Sequence, residues 1–175
     1  NDFKNNGNIL NIIDLGAIPD GITDNTENFN KIINSGGLYF IPEGNFYISG
    51  TLFSSRSTKF IGENKKSLIT FGSSVYITLN SGILDFDGIT FNSFPGINGI
   101  SPNQTCSIYI RNCDIYGNNE QPMITNVYNI LIENVNMYRY SFFFNLTENV
   151  YMNNVYVLSY TSYNYNRITG SSIND

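Results

Sequence analysis

The chain has 175 residues, enough for one domain with a real core, and carries a net charge of −5 with only 13% charged residues and neither Trp nor His. An acidic chain without a basic stripe is a poor partner for nucleic acid, and no apolar run is long enough to insert into a membrane. Two cysteines, Cys106 and Cys113, make no disulfide framework.

The chain starts at Asn1 rather than Met, which reads as a processed form or a fragment. Residues 1–8 are polar and read as an extended arm. Ile9 to Ala17 reads as a short strand ending at Gly16, and Pro19-Asp20-Gly21 as a turn. Asp24 or Thr26 is placed to cap a helix over Thr26 to Asn34, with Phe29, Ile32 and Ile33 on one face. Gly36-Gly37 stops it. Leu38 to Ile41 then reads as a buried strand, Pro42-Glu43-Gly44 as a turn and Phe46 to Ile48 as the next strand.

This opening resembles a known family. Ile13-Asp14-Leu15-Gly16-Ala17, Pro19-Asp20-Gly21-Ile22-Thr23-Asp24-Asn25-Thr26 and Gly36-Gly37-Leu38-Tyr39-Phe40-Ile41-Pro42-Glu43-Gly44-Asn45-Phe46-Tyr47 are similar to the start of pectate-lyase-like right-handed β-helices. The likeness is greatest to the branch rich in bacteriophage tailspikes and appendages. It covers about the first fifty residues and speaks for the fold rather than for an activity. It implies a helical cap on the first coil, with Asp20 and Asp24 as turn and capping residues. Leu15 stands where the family usually has Phe, and Ile18-Pro19 where it has Lys-Gly.

Further along, Gly62 in Lys59 to Asn64 reads as an early coil corner, and Leu68 to Phe71 and Val75 to Leu79 as strands. From Leu84 onward the chain repeats itself at intervals of about 20–24 residues, the mark of stacked coils. The copies begin at Leu84, Ile108, Ile130 and Val150, each reading apolar-x-apolar-x-(Asn/Gly)-apolar-x-apolar. Stacking them puts Leu84, Ile108, Ile130 and Val150 in one inward column and Phe86, Ile110, Ile132 and Met152 in the next. Ile89, Cys113, Val135 and Val155 form a third, and Phe91, Ile115, Met137 and Val157 a fourth. Gly88, Asn112, Asn134 and Asn154 share a corner that needs a residue tolerant of positive φ. Met123 to Thr125 and Phe142 to Phe144 read as a third strand per coil, one that in the resembling family often faces the substrate groove. The expected fold is an all-β solenoid, a right-handed parallel β-helix with a short N-terminal capping helix. Residues 1–50 form the arm and cap, 51–158 the coils and 159–175 an uncapped tail continuing into further chain or covered by other subunits. Asn92 to Ser107 and Gly117 to Pro122 read as loops able to carry specificity.

The outward columns hold the candidates for chemistry. Asp85 and Asp87 point the same way from one strand, as two carboxylates flanking a glycosidic bond would; an ordinary solvated face is the favoured alternative. Asp87, Arg111, Glu133 and Asn153 fall in one column, so Glu133 is the third candidate acid and Arg111 an electrophile or charge partner. A ladder of stacked ion pairs explains that column as well. Asp114 stands alone after the corner. Tyr109 and Tyr151 share an outward column, and Tyr116 and Tyr138 another; with Arg111 they are the candidate carbohydrate-binding residues. Tyr160, Tyr163 and Tyr165 add rings in the tail. β-propensity and subunit burial account for tyrosines equally well.

No cofactor is evident and no metal site can be named. Calcium enters only through the resemblance, whose lyases hold it with several acids, and its hydrolases use clustered Asp with a His that this chain lacks. The resemblance implies a receptor-binding module of a phage tailspike or appendage, trimeric, that binds a bacterial surface polysaccharide with or without cleaving it. The location would be the virion or the extracellular space. A secreted polysaccharide lyase or glycoside hydrolase is the first alternative, and a non-catalytic shaft or adhesin the second.

Overall fold

The computed structural model describes residues 8–100, 106–117, 123–139, 143–158 and 168–169. In them the chain winds into a β-solenoid of about 6 turns, with parallel sheets and a single short α-helix. Ahead of these turns, a capping segment holds β1 (Leu10–Asn11), β2 (Asp20–Asp24) and α1 (Thr26–Ser35). Four coils of three strands follow. They are β3 (Gly37–Ile41), β4 (Gly44–Ile48) and β5 (Leu52–Ser54); β6 (Thr58–Gly62), β7 (Ser67–Phe71) and β8 (Tyr76–Leu79); β9 (Gly82–Asp87), β10 (Thr90–Asn92) and β11 (Gly96–Gly99); and β12 (Cys106–Arg111), β13 (Asp114–Tyr116) and β14 (Met123–Thr125). In the next two coils the first two strands fuse into β15 (Asn129–Tyr138) and β17 (Asn149–Leu158), each followed by a short third strand, β16 (Phe143–Asn145) and β18 (Ile168–Thr169). Because β15 runs through the corner unbroken, the first and second ladders join into one twelve-stranded sheet; the third ladder, β5-β8-β11-β14-β16-β18, is separate.

Every expected column is present. Leu84 pairs with Ile108, Ile108 with Ile130, and Ile130 with Val150; Phe91, Ile115, Met137 and Val157 stack likewise. Period-two alternation explains it: β3 and β7 bury every second residue, so a slip of one would expose the whole apolar set. Phenylalanines continue the core lengthwise. Phe60 lies 5.6 Å from both Phe29 of the helix and Phe86 of the next coil, the latter ring stacked at 12°. In the last described coil the inward positions lose cover, and Met152 and Val157 are 41% and 40% exposed, because among the described residues no strand stacks beyond β17.

The corner is occupied as its chemistry demands. Gly88, Asn112, Asn134 and Asn154 all take positive φ, from 50° to 73°. The Asn134 amide donates to Asn112 Oδ1 at 3.1 Å and the Asn154 amide to Asn134 Oδ1 at 2.9 Å, so each asparagine both tolerates the bend and ties adjacent coils.

Several expectations are corrected. The strand expected over Ile9 to Ala17 is only two residues long; a 3-10 turn at Ile13–Leu15 replaces the rest. Gly62 stands beside Gly88 but is not left-handed: Asn64 and Lys65 take positive φ instead. Gly62 is required by closeness, since a Cβ there would sit 2.4 Å from the Gly88 carbonyl oxygen. The segment Asn92 to Ser107 is not all loop, because β11 lies inside it. The Phe142 to Phe144 strand is shifted to β16, with Phe142 outside the described residues. Within the segment expected as tail, Ile168 and Thr169 pair with Phe144 and Asn145; Tyr160, Tyr163 and Tyr165 lie outside the described residues. The helix begins at Thr26 as expected, but its N-cap is Asn25, without a side-chain cap bond, rather than Asp24 or Thr26; Asp24 Oδ1 accepts from the Thr26 N–H at 3.0 Å from just outside the helix. The Asp20 carboxylate likewise accepts from the Ile22 and Thr23 N–H groups.

Candidate functional site

The carboxylates come first, because acid–base chemistry needs an accessible, correctly protonated group. Lys59, Asp85 and Tyr109 stand in one outward column, and Asp87, Arg111, Glu133 and Asn153 in the next. The expected face-to-face ion-pair ladder does not form. Arg111 instead crosses between columns and donates to Asp85 from both Nε, at 3.3 Å, and Nη2. Lys59 Nζ lies 3.0 Å from Asp87 Oδ2 and 3.7 Å from Asp85 Oδ2, and the Asn112 amide donates to Asp87 Oδ1 at 2.7 Å.

Asp85 is therefore not the solvated carboxylate that the alternation implies; its side chain is 2% exposed. Burial pushes it up from the ordinary carboxylate range against the pull of Arg111 and Lys59. Against the cost of its own partial burial, contact with Asp85 raises Arg111 and keeps it a cation. With both Asp85 oxygens accepting from the guanidinium, the pair is ionised. Burial also works against Asp87, but the Asn112 amide and Lys59 outweigh it and hold Asp87 low. Glu133 accepts from the Asn153 amide at 3.3 Å, one coil beyond Arg111. These groups form an interlocked clamp across coils. Asp85 has neither water access nor a free oxygen with which to move a proton.

A recess of about 400 Å³ opens at the corner beside Gly62, Lys65, Asp87, Gly88 and Asn112. Its charges are also committed: Lys65 bonds Asp114 at 2.7 Å, and Asp114 accepts from the Asn136 amide at 2.8 Å. The residues do not fit the calcium site that the resemblance implies. Asp85, Asp87 and Asp114 each already lean on a lysine or arginine, Glu133 is bonded by the Asn153 amide, and among the described residues no group of three or more His, Cys, Asp or Glu is placed to hold a metal ion. Both cysteines are buried, and burial pushes the Cys113 thiol up to about 12.

The candidate tyrosines divide. Tyr116 and Tyr138 stack on each other, centroids 4.7 Å apart at 11°, so each has one face already covered. Tyr109 and Tyr151 share a column, as expected, but Leu131 stands between them. Tyr151 is exposed and Tyr109 half-buried.

The third ladder carries a different kind of surface. Ile77, Ile97 and Ile124 point inward and are fully buried, which turns Thr78, Asn98 and Thr125 outward; Asn145 follows in register. The second outward column starts with Tyr76, then Gly96 and Met123. Tyr76 is 47% exposed, and its ring lies against Gly96, where a Cβ would meet two ring carbons at 3.0 Å. Beside it a recess of about 340 Å³ is bordered by Ser74, Tyr76, Pro95, Asn98 and Met123. Among the described residues, no hydrogen bond uses the side chains of Thr78, Asn98 or Thr125. An exposed ring beside uncommitted hydroxyl and amide groups can stack on a sugar face and bond its hydroxyls. Sequence reasoning located β8, β14 and most of β16, took β11 for loop, and nominated none of their side chains. The strands are two to four residues long and separated by unequal loops, so their register is hidden until the longer repeats align them.

A family model described as "Rhamnogalacturonase A/epimerase, pectate lyase-like" matches residues 9–173. No curated protein and no solved structure matches the chain.

Proposed function

From the premise that the chain belongs to this rhamnogalacturonase A/epimerase, pectate lyase-like family, a fold typical of carbohydrate-active proteins, we propose that it is a polysaccharide-binding module. Its binding face is the third ladder. The observation that carries the reading is the Tyr76 ring, exposed against Gly96 at the edge of the recess beside Asn98. The carboxylates Asp85, Asp87 and Asp114 do not support cleavage, because each is held by a lysine or arginine. The proposed ligand is a bacterial surface glycan and the proposed setting a phage appendage or the extracellular space, with three chains around an axis. The likeness of the first fifty residues to tailspike caps is what supports that setting.

The test is a glycan array of bacterial capsular and lipopolysaccharide chains, with reducing-end and unsaturated-product assays on every glycan bound. Binding without products is expected. A folded protein that binds nothing would return the domain to a structural shaft, and released oligosaccharides would make it an enzyme. Light scattering on the same sample reports the oligomer.

A further inference from the structure

If the third ladder is the glycan-binding face, on which role the assignment of its ligand rests, its side chains also select the class of glycan. Among the described residues, the strands β5, β8, β11, β14, β16 and β18 contain no Asp, Glu, Lys or Arg. The ladder's outward polar rungs are Thr78, Asn98, Thr125 and Asn145, each registered on the next. Recognition of a uronate, sulfate or phosphate calls for arginine or lysine aimed at the anion. Among the described residues, most of the cations are committed elsewhere: Lys59 and Arg111 to Asp85 and Asp87, Lys65 to Asp114, Lys66 to Glu43, and Lys31 to Glu27. The chain's net charge of −5 adds repulsion toward any polyanion.

We infer that this face takes a neutral glycan, lying along the solenoid axis with one sugar unit per coil and one ring seated on Tyr76. Parallel strands repeat at about 4.8 Å, close to the length of one pyranose unit in an extended chain. A linear glycan therefore meets a fresh hydroxyl or amide at each coil without bending. Thr and Asn suit this, since a hydroxyl both donates and accepts and an amide offers one group of each kind. Met123, 43% exposed and two coils along the same column from Tyr76, supplies an apolar contact for the C–H face of the sugar at its coil. Gly96 completes the arrangement, because any side chain there would push the Tyr76 ring off its position.

The experiment is calorimetric titration with neutral glycans taken from the array, cut to graded lengths, and with oligogalacturonates as the acidic probe, each at low and high salt. Affinity for the neutral series should grow with length until the rungs are filled and should not change with salt. Tyr76→Ala and Gly96→Ala should each weaken it about tenfold, while circular dichroism and melting temperature stay those of the parent. Asn98→Ala and Thr125→Ala, which leave the ring alone, should weaken long glycans more than short ones. Salt-sensitive binding of oligogalacturonates in preference to neutral chains would overturn the neutral assignment and leave the binding reading standing. Affinity that does not grow with length would overturn the axial arrangement. Failure of the parent protein to bind any glycan would overturn the binding reading itself.

Discussion

Arg111 does not bond Asp87, the carboxylate opposite it in the neighbouring strand; it reaches diagonally and grips Asp85 with both Nε and Nη2. Asp87 is already engaged by Lys59 and Asn112, so the diagonal exchange lets every charge of the cluster find a partner.

Breaking this clamp should cost stability rather than activity. Arg111→Met leaves a carboxylate that is 2% exposed without its main partner, which predicts a loss of about 3 kcal/mol. Asp85→Asn should cost a comparable amount. Asp87→Asn, at a more accessible carboxylate, should cost about 1 kcal/mol or less. Urea unfolding midpoints check the order, and three equally small changes would mean that the clamp is an ordinary surface bridge.

The corner asparagines make a separable prediction. Asn134 combines a φ of 54° with bonds to the coils on both sides. Asn134→Ala should lose the bonds and also strain the backbone, whereas Asn134→Gly loses only the bonds. The alanine variant should therefore be less stable than the glycine variant by about 1 kcal/mol. Thermal melts of the two proteins side by side would show it.

Gly62→Ala tests close approach rather than backbone freedom. The added methyl would stand 2.4 Å from the Gly88 carbonyl oxygen, a backbone atom that cannot swing aside. A loss of about 2 kcal/mol or more is expected. Gly62→Ala that melted with the parent protein would mean the two coils can slide apart at this corner.

Acid should loosen the N-terminal cap. Burial is the largest single influence on Asp24 and opposes its ionisation, but the side-chain and backbone bonds from Ser49 and Thr26 together outweigh it and hold the carboxyl at about 2 against an ordinary 3.8. Folded Asp24 thus binds its proton less readily than the unfolded chain does. Its contribution is complete above about pH 4 and is lost as pH falls toward 2. Asp24 is largely open to water, so the effect is modest. The parent should lose its stability advantage over Asp24→Asn across that window, as melting curves from pH 5 downward would reveal.

The register of the solenoid was legible in the sequence because alternation and the corner residue encode it together. Ile108 cannot face inward unless Ile110 does, and Asn112 must then stand at the bend. The three-strand coil was legible only in part. Gly62 fits the corner pattern but is there for contact, which no local periodicity distinguishes from a positive φ.

The chain by itself thus determined the columns, the cap and the asparagine ladder, since each follows from side-chain period, turn chemistry or capping within a few residues. Tertiary structure alone decided which outward residues meet water. Asp85 alternates like an exposed residue, yet Arg111, 26 positions away, closes over it, and Asp87 is claimed by Lys59, 28 positions away. Tyr76 became a platform only when stacking set Gly96 beneath it. Local pattern records which face a side chain leaves the strand from; the neighbouring coils, a full turn away in sequence, determine what covers it.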